Sequence, residues 1–393
     1  MVGAALGVSV KVLVVSATAV MMVAGLAIQP PAVDAGTPRS RAVATAPPSR
    51  VDTPRSGRAF PDPAVAVYRG GLVAVGTGPR APRMVSKAAN APWHNAGRAL
   101  TRKPRWAVGD GVWGVDLVHV GRRWLLYYAA PVRGLGREGR CIGVAVSRRA
   151  LGGYTPVGAP LVCPAGARTG RASDRVRPVR GRLPHRGVID PSVFRLGKSL
   201  FLVYKTQGLP STIRVVRLTH RGLRTAHTSH ELIRVGHIVE NPVLYRQGRR
   251  FVLLTSEGSY DSCGYRTVWR ASRHLLRWAR SRPHLLLGRG SGVCGPGGAD
   301  VVVRHAGPVL VFHGWACGRF ASRCPSGTDS HLQGRRTLYA ARLVFRRGRL
   351  ATRPLPPLKL APDDPTPMIE VPVHHRHHQR HPHRHRAHRV SRR

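Results

Sequence analysis

The sequence predicts an all-β fold, a five-bladed β-propeller of four-stranded blades, on three observations. Five stretches share one plan: a strand-like run, a glycine-containing turn and a second strand-like run. Acidic residues sit at the start of the first run in several of them, although the 393-residue chain holds only 17 Asp+Glu against 64 Lys+Arg. Long helical periodicity is absent. Strand-built copies at irregular intervals of roughly 50–75 residues indicate a propeller.

The copies follow in chain order. The first is Phe60–Gly78, with Asp62 ahead of its first run; the second is Val112–Ala130. The third and fourth are Gly187–Gly208, with Asp190, and Ile238–Gly258, with Glu240. The fifth is Gly297–Trp315. On this alignment Asp62, Asp190 and Glu240 share one position, which Gly114 and Gly298 take in the other two copies. Asp116 and Asp300 follow two residues later. The first strand of a blade lines the central channel, so the three acids are expected to converge on one mouth of it. Further strands are expected at Cys141–Ser147, Ser211–Leu218, Tyr265–Ser272 and Thr337–Phe345. The stretch 84–111 reads as a long loop that either packs over a blade edge or walls the pocket, with Trp93 as a sugar-stacking platform. The Arg-rich stretch 165–186 reads as a surface loop.

The flanks differ in composition. Residues 1–35 have the layout of a signal peptide: Lys11, the apolar run Val12–Ile28, and small residues up to Ala35. The alternative is a retained membrane anchor, for which the run is at the lower length limit. Residues 36–58 read as a disordered linker and 59–350 as the propeller. Residues 357–393, rich in His and Arg, read as a disordered tail for which loose metal binding or attachment to an anionic surface are the functional options. Export is the expected fate, to the medium or the cell surface. Six cysteines agree with it. Proximity suggests Cys141–Cys163, Cys263–Cys294 and Cys317–Cys324, one of 15 pairings. The lack of a C-x-x-C pair argues against a zinc or redox motif.

The net charge of +47 points either to an anionic partner, such as a cell-wall polymer met through the basic surface and tail, or to compositional drift. No helix pattern suits a DNA reader and no aromatic RNA-binding signature occurs, so no specific nucleic acid is expected.

Three converging carboxylates suit glycoside hydrolysis. One carboxyl protonates the leaving oxygen, and another activates water or attacks carbon. A third raises the pKa of the acid by like-charge repulsion. The motifs PDPAV around Asp62, VIDPSVFR around Asp190 and VENPVLYR around Glu240 resemble those of glycoside hydrolase family 43, the five-bladed arabinanases, arabinofuranosidases and xylosidases. The resemblance spans 60–345. It implies Asp62 as general base, Asp190 as modulator and Glu240 as general acid. It also implies inversion, with base and acid about 6.5–9.5 Å apart. VWGVD, with Trp113 and Asp116, resembles the family's Trp-Ala-Pro-Asp stretch. Arg336, in GRRTLYAARL, resembles a family arginine that reaches the sugar. Trp113, Asp116, Arg336 and the weaker candidate His313 are therefore expected to bind substrate. GPGGADVV resembles the family's Gly-Pro-Gly-His motif, whose histidine helps hold a central calcium in some members. Gly298 stands in its place, so neither metal nor other cofactor is expected. The expected protein is a monomer acting on arabinose- or xylose-containing polysaccharide. The alternatives are a propeller that binds carbohydrate without turnover and a cationic surface protein that adheres to anionic polymers.

Overall fold

Each blade is built from one uninterrupted run of chain. In the computed structural model, which describes residues 55–168, 186–304, 306–317, 322–323 and 334–356, five antiparallel sheets follow one another. The first holds Ala64–Tyr68, Gly71–Val75, Pro82–Ser86 and His94–Arg98. The second holds Gly111–Val120, Arg123–Pro131, Arg140–Ser147 and Thr155–Pro156, with Gly78–Pro79 added beside its inner strand. The third comprises Val188–Leu196, Ser199–Thr206, Ser211–Arg217 and His230–Val235. The fourth comprises Val239–Gln247, Arg250–Glu257, Arg266–Ser272 and His284–Leu287. The fifth comprises Cys294–Arg304, Gly307–Cys317, Gly334–Arg346 and Arg349–Arg353, with Ser322–Arg323 alongside. This is the five-bladed propeller of four-stranded blades that the repeats predict.

The strands form where β-branched and aromatic residues cluster, because such side chains fill a pleated surface. Both faces of the second strands are buried, as in Trp124–Ala130, because each sheet is packed against a neighbour on either side. Two-residue turns close the inner hairpins. Arg69–Gly70, and Arg347–Gly348 in the outer hairpin of blade five, have positive φ at both residues (47° and 77° in each), the geometry that suits the twist of a hairpin.

The core is divided among the blade interfaces. Leu126, Tyr128 and Trp106 pack between blades one and two, and Tyr127, Leu202 and Tyr204 between two and three. Phe194, Leu253 and Trp278 fill the next interface, and Trp269, Phe312 and Tyr339 the fourth. Phe60, Leu72 and Met84 meet Val311 and Leu338 where blade five returns to blade one. That last junction is also tied through the backbone: Arg55 N donates to Leu338 O and Phe60 N to Arg336 O, both at 2.7 Å.

The structure departs from the sequence reading of 84–111. This stretch completes blade one, and Trp93 is buried in the closing interface at 6% exposure, so it is not a sugar platform. His94–Arg98 carries little apolar alternation because it is an outermost strand with a mostly exposed face. Cys141–Cys163 and Cys263–Cys294 are disulfides. Cys317 is disulfide-bonded, and its expected partner Cys324 lies outside the described residues. So do the signal segment, residues 36–54 of the linker, the tail and most of the 165–186 loop.

Candidate active site

The inner strands carry a repeated kink that builds the site. The pairing register shifts between Ile189 and Ser192, between Glu240 and Val243, and between Trp113 and Asp116. Blade five has the same shift between Gly297 and Asp300, and one residue at the equivalent place in each blade has left-handed φ: Asp62 (51°), Gly114 (43°), Asp190 (56°), Asn241 (48°) and Gly298 (55°). These five residues form a ring around the channel, whose central cavity of 30 Å³ has room for about one water. Non-glycine residues adopt this conformation at a cost of order 1–3 kcal/mol, which the surrounding packing must offset.

The ring corrects the alignment of the fourth copy. Asn241, not Glu240, is the counterpart of Asp62 and Asp190. Glu240 pairs across to Ser256 as Ile189 pairs to Lys205 and Trp113 to Ala129. Glu240 therefore stands one residue earlier, in the row that faces the mouth. Aligning Pro63, Pro191 and Pro242 gives this register directly.

The mouth holds a pocket of 270 Å³ whose lining includes Asp62, Asp190, Glu240, Trp113 and Arg336. The three acids are thus brought together. Asn241 is their hub. Its backbone N donates to Asp190 Oδ2 at 3.0 Å, and its Nδ2 donates to Asp62 Oδ1 at 3.3 Å. Its Oδ1 lies 2.9 Å from the Tyr265 hydroxyl, which is also 2.8 Å from Glu240 Oε1. Lys205 Nζ lies 2.7 Å from Glu240 Oε2 in an ion pair, both side chains being largely buried. Thr77 Oγ1 donates to Asp62 Oδ2 at 2.8 Å. Sequence reasoning missed Asn241, Tyr265, Lys205 and Thr77. Only Asn241 carried a usable signal, its Pro-anchored register.

The other candidates separate. Trp113 lines the pocket, with the Arg140 guanidinium 4.3 Å over its ring. Arg336 also lines it, 3.8 Å from Asp62 Oδ1 and 4.9 Å over the Tyr260 ring. Asp116 faces the channel below the pocket. It accepts from Leu117 N at 2.8 Å and from Val193 N of the next blade at 2.6 Å. Asp300 does the same for Val301 N and Val65 N, at 2.7 and 2.6 Å. These two acids fasten neighbouring blades. His313 is fully buried, and its Nδ1 accepts from Asp62 N at 3.0 Å. That bond places the lone pair on Nδ1, so the 3.4 Å approach to Asp62 Oδ1 is not an ion pair. Burial, with the Arg336 charge second, pushes this imidazole well below its usual pKa. His313 therefore acts as a neutral support for the Asp62 backbone.

The channel does not suit a calcium ion. A Cβ at Gly298 would stand 2.5 Å from His313 Nδ1 and 2.6 Å from Asp62 Oδ1, so the imidazole fills the space of a side chain there. Both oxygens of Asp116 and of Asp300 are engaged by backbone amides. Among the described residues no group of three or more His, Cys, Asp or Glu is arranged to hold a metal.

Burial raises the channel acids. Asp116 is pushed up to about 8, with the Asp300 charge adding to the effect. Asp190 rises to about 7, chiefly by burial and then by the Glu240 charge, against the pull of Lys205. Asp300 rises to about 6 by burial, opposed by its two amides. In each case the folded chain holds a proton that the unfolded chain releases near pH 4. The stability these protons confer is complete below that pH and is lost as pH rises through about 6, 7 and 8. Thermal unfolding is therefore expected at a higher temperature at pH 5 than at pH 8, by several degrees. Asp116→Asn should flatten the upper part of this dependence. Melting curves at pH 5, 6.5 and 8 test it, and a midpoint that rises with pH contradicts it.

Known proteins share this fold. The family model described as "Glycosyl hydrolases family 43" matches residues 61–344. A thermostable family-43 glycoside hydrolase is similar in structure, with a TM-score of 0.59 at 18% identity over 77% of this chain and 96% of the other. The Cellvibrio cellulosa alpha-L-arabinanase complexed with arabinohexaose gives 0.58 at 16% identity, over 75% and 95%. An endo-1,4-beta-xylanase from Bacteroides thetaiotaomicron gives 0.56 at 19%, over 78% and 100%. No curated protein matches in sequence. The structural likenesses, all below 20% identity, bear on the fold alone.

Proposed function

The chain belongs to the glycosyl hydrolases of family 43, and from that membership we propose that it is a secreted, inverting glycosidase acting on arabinose- or xylose-containing polysaccharide. The observation that carries this reading is the shared pocket of Asp62, Asp190 and Glu240 at the channel mouth. The neighbours described as an arabinanase and a xylanase support the substrate class. The two disulfides and the apolar N-terminal run support export.

In this mechanism Glu240 protonates the leaving glycosidic oxygen. The Tyr265 hydroxyl, which donates to Glu240 Oε1 at 2.8 Å, also reaches Asn241 Oδ1 at 2.9 Å. One hydroxyl thereby serves both short contacts. Once the proton has left, the Lys205 ammonium at 2.7 Å stabilises the carboxylate. Asp62 takes the proton of the attacking water, held by Thr77 and Asn241 with its acceptor edge toward the pocket. Asp190 fixes Asn241 through the backbone and keeps a proton within the acid cluster at neutral pH. Trp113 offers a flat face to a sugar ring, and Arg336 offers donors to its hydroxyls.

The Lys205–Glu240 pair also favours a second reading, a propeller that binds carbohydrate without turnover, because an ion-paired carboxylate has no proton to give. Incubation with aryl arabinosides and xylosides, arabinan and xylan separates the two. Proton NMR of the first-formed product is expected to show the inverted anomer. A retained anomer overturns the mechanism, and binding without product overturns the enzyme reading.

A further inference from the structure

A second binding surface lies at the far end of the propeller. The second strands run back toward the mouth, so Lys205 near the end of one stands at the pocket while Phe201 and Phe251, near their starts, stand at the opposite face. There a groove of 800 Å³ opens between blades three and four. Its cationic rim is Arg217 from the third strand of blade three, with Arg273 and Arg277 from the turn after the third strand of blade four. All three are exposed. His227, His230 and His274 stand among them, and no acidic residue lines the groove. Phe201 and Phe251 form an apolar floor.

The turn is built to hold its shape. The Ser272 hydroxyl lies 2.9 Å from His274 O and 2.6 Å from Arg277 O, and it accepts from His274 N at 3.1 Å. The Trp278 indole donates to Leu275 O at 2.7 Å while its ring is buried between the blades. Arg273 and Arg277 are thus presented from a fixed frame, which lowers the ordering cost of binding.

We propose that this groove binds an acidic polysaccharide strand bearing uronate groups, and that it holds the protein to such polymers while the pocket on the other face works. The rim requires an anion, by charge complementarity. The floor requires an occupant with apolar faces between its charges, as a chain of sugar rings has. A flat membrane surface does not enter a concave groove, and the groove lacks the long cationic track that a nucleic-acid backbone follows. Carboxylates meet arginine in paired hydrogen bonds, and the aromatic floor takes the C–H faces of the rings. The proposal does not depend on turnover, since the groove shares no residue with the pocket.

The test must separate a site from the general charge of +47. Full-length Arg217→Ser/Arg273→Ser/Arg277→Ser is compared with Arg102→Ser/Arg105→Ser/Arg122→Ser, which removes the same charge from exposed positions elsewhere. Binding is measured by calorimetry and affinity electrophoresis with polygalacturonate. The groove variant is expected to lose about tenfold or more in affinity, and the charge-matched variant to stay within about twofold. Both should cleave an aryl glycoside as the parent does, if the parent does, so failure of the catalytic reading is seen separately. Equal losses in the two variants overturn the proposal. So does groove-dependent binding of RNA or of anionic lipid vesicles without binding of polygalacturonate. If the triple variant melts early, Arg273→Ser/Arg277→Ser, confined to an exposed turn, gives the same comparison.

Discussion

Replacing Glu240 by Gln is expected to leave a folded protein whose turnover of natural polysaccharide falls by about 10²–10⁴-fold, the usual contribution of a general acid. The amide keeps the shape of the side chain, and its oxygen still lies within reach of Tyr265 or Lys205. The loss should depend on the leaving group. An aryl glycoside whose phenol is already a weak base needs little protonation, so the variant should recover most of the parent rate on it. Asp62→Asn should lose activity on both substrates, because water must be activated whatever leaves. Measuring kcat on arabinan or xylan oligosaccharides and on nitrophenyl glycosides checks this. Equal losses for Glu240→Gln on both classes remove Glu240 from the acid role, and unchanged turnover removes the mechanism. The Lys205–Glu240 contact gives a control. Lys205→Met should lower kcat on poor leaving groups while leaving KM nearly unchanged, because it acts on the carboxylate formed in the transition state.

Gly114→Ala is the second large effect, and it touches no substrate atom. Gly114 has φ of 43°, and a Cβ there would fall within the radius of Asp190 Oδ1 and 2.7 Å from Asp190 Cα. The obstacle includes backbone of the neighbouring blade, so no rotamer change relieves it. The left-handed backbone alone costs about 1 kcal/mol for alanine; displacing Asp190 adds the loss of its bond to Asn241 N and disturbs the hub. A lower melting temperature, by about 5 °C or more, is expected together with a loss of kcat of about tenfold or more, since a misplacement near 1 Å weakens catalysis. Gly121→Ala is the comparison: it also has positive φ, 61°, but no atom lies near its Cβ. It should cost stability and spare kcat. If both variants lower kcat equally, backbone strain and not the Asp190 contact is the cause.

These two sites show what the sequence makes legible. Asp62, Asp190 and Glu240 could be found because each precedes a hairpin with a readable turn. Their convergence followed from the repeat. Aligning the fourth copy on its acid puts Glu240 one residue out of register, whereas Pro242, aligned with Pro63 and Pro191, marks it correctly. Lys205 and Tyr265 could not be found this way. Lys205 lies on a second strand and Tyr265 just ahead of a third, where a polar residue beside apolar ones has no local signature. Their meeting with Glu240 exists only after the sheets pair. His313 looked like a ligand of the substrate, and its support of the Asp62 backbone depends on the contact between the last blade and the first. The outermost strand of blade one, His94–Arg98, was hidden for a different reason. A strand that packs little of its surface has no need of alternation.

The junction between blade five and blade one has a further consequence for biosynthesis. The first acid of the site, Asp62, leaves the ribosome some 250 residues before the histidine that braces its amide, and the two are hydrogen-bonded only in the closed circle. Phe60 and Arg55 likewise wait for partners on the penultimate strand of the last sheet. A nascent chain lacking its final segment therefore has an open circle and no working centre, however well its early sheets have formed. Activity should emerge in a single late step of synthesis, and a truncation ahead of Gly334 should remove it entirely, even though Asp62, Asp190 and Glu240 are still present.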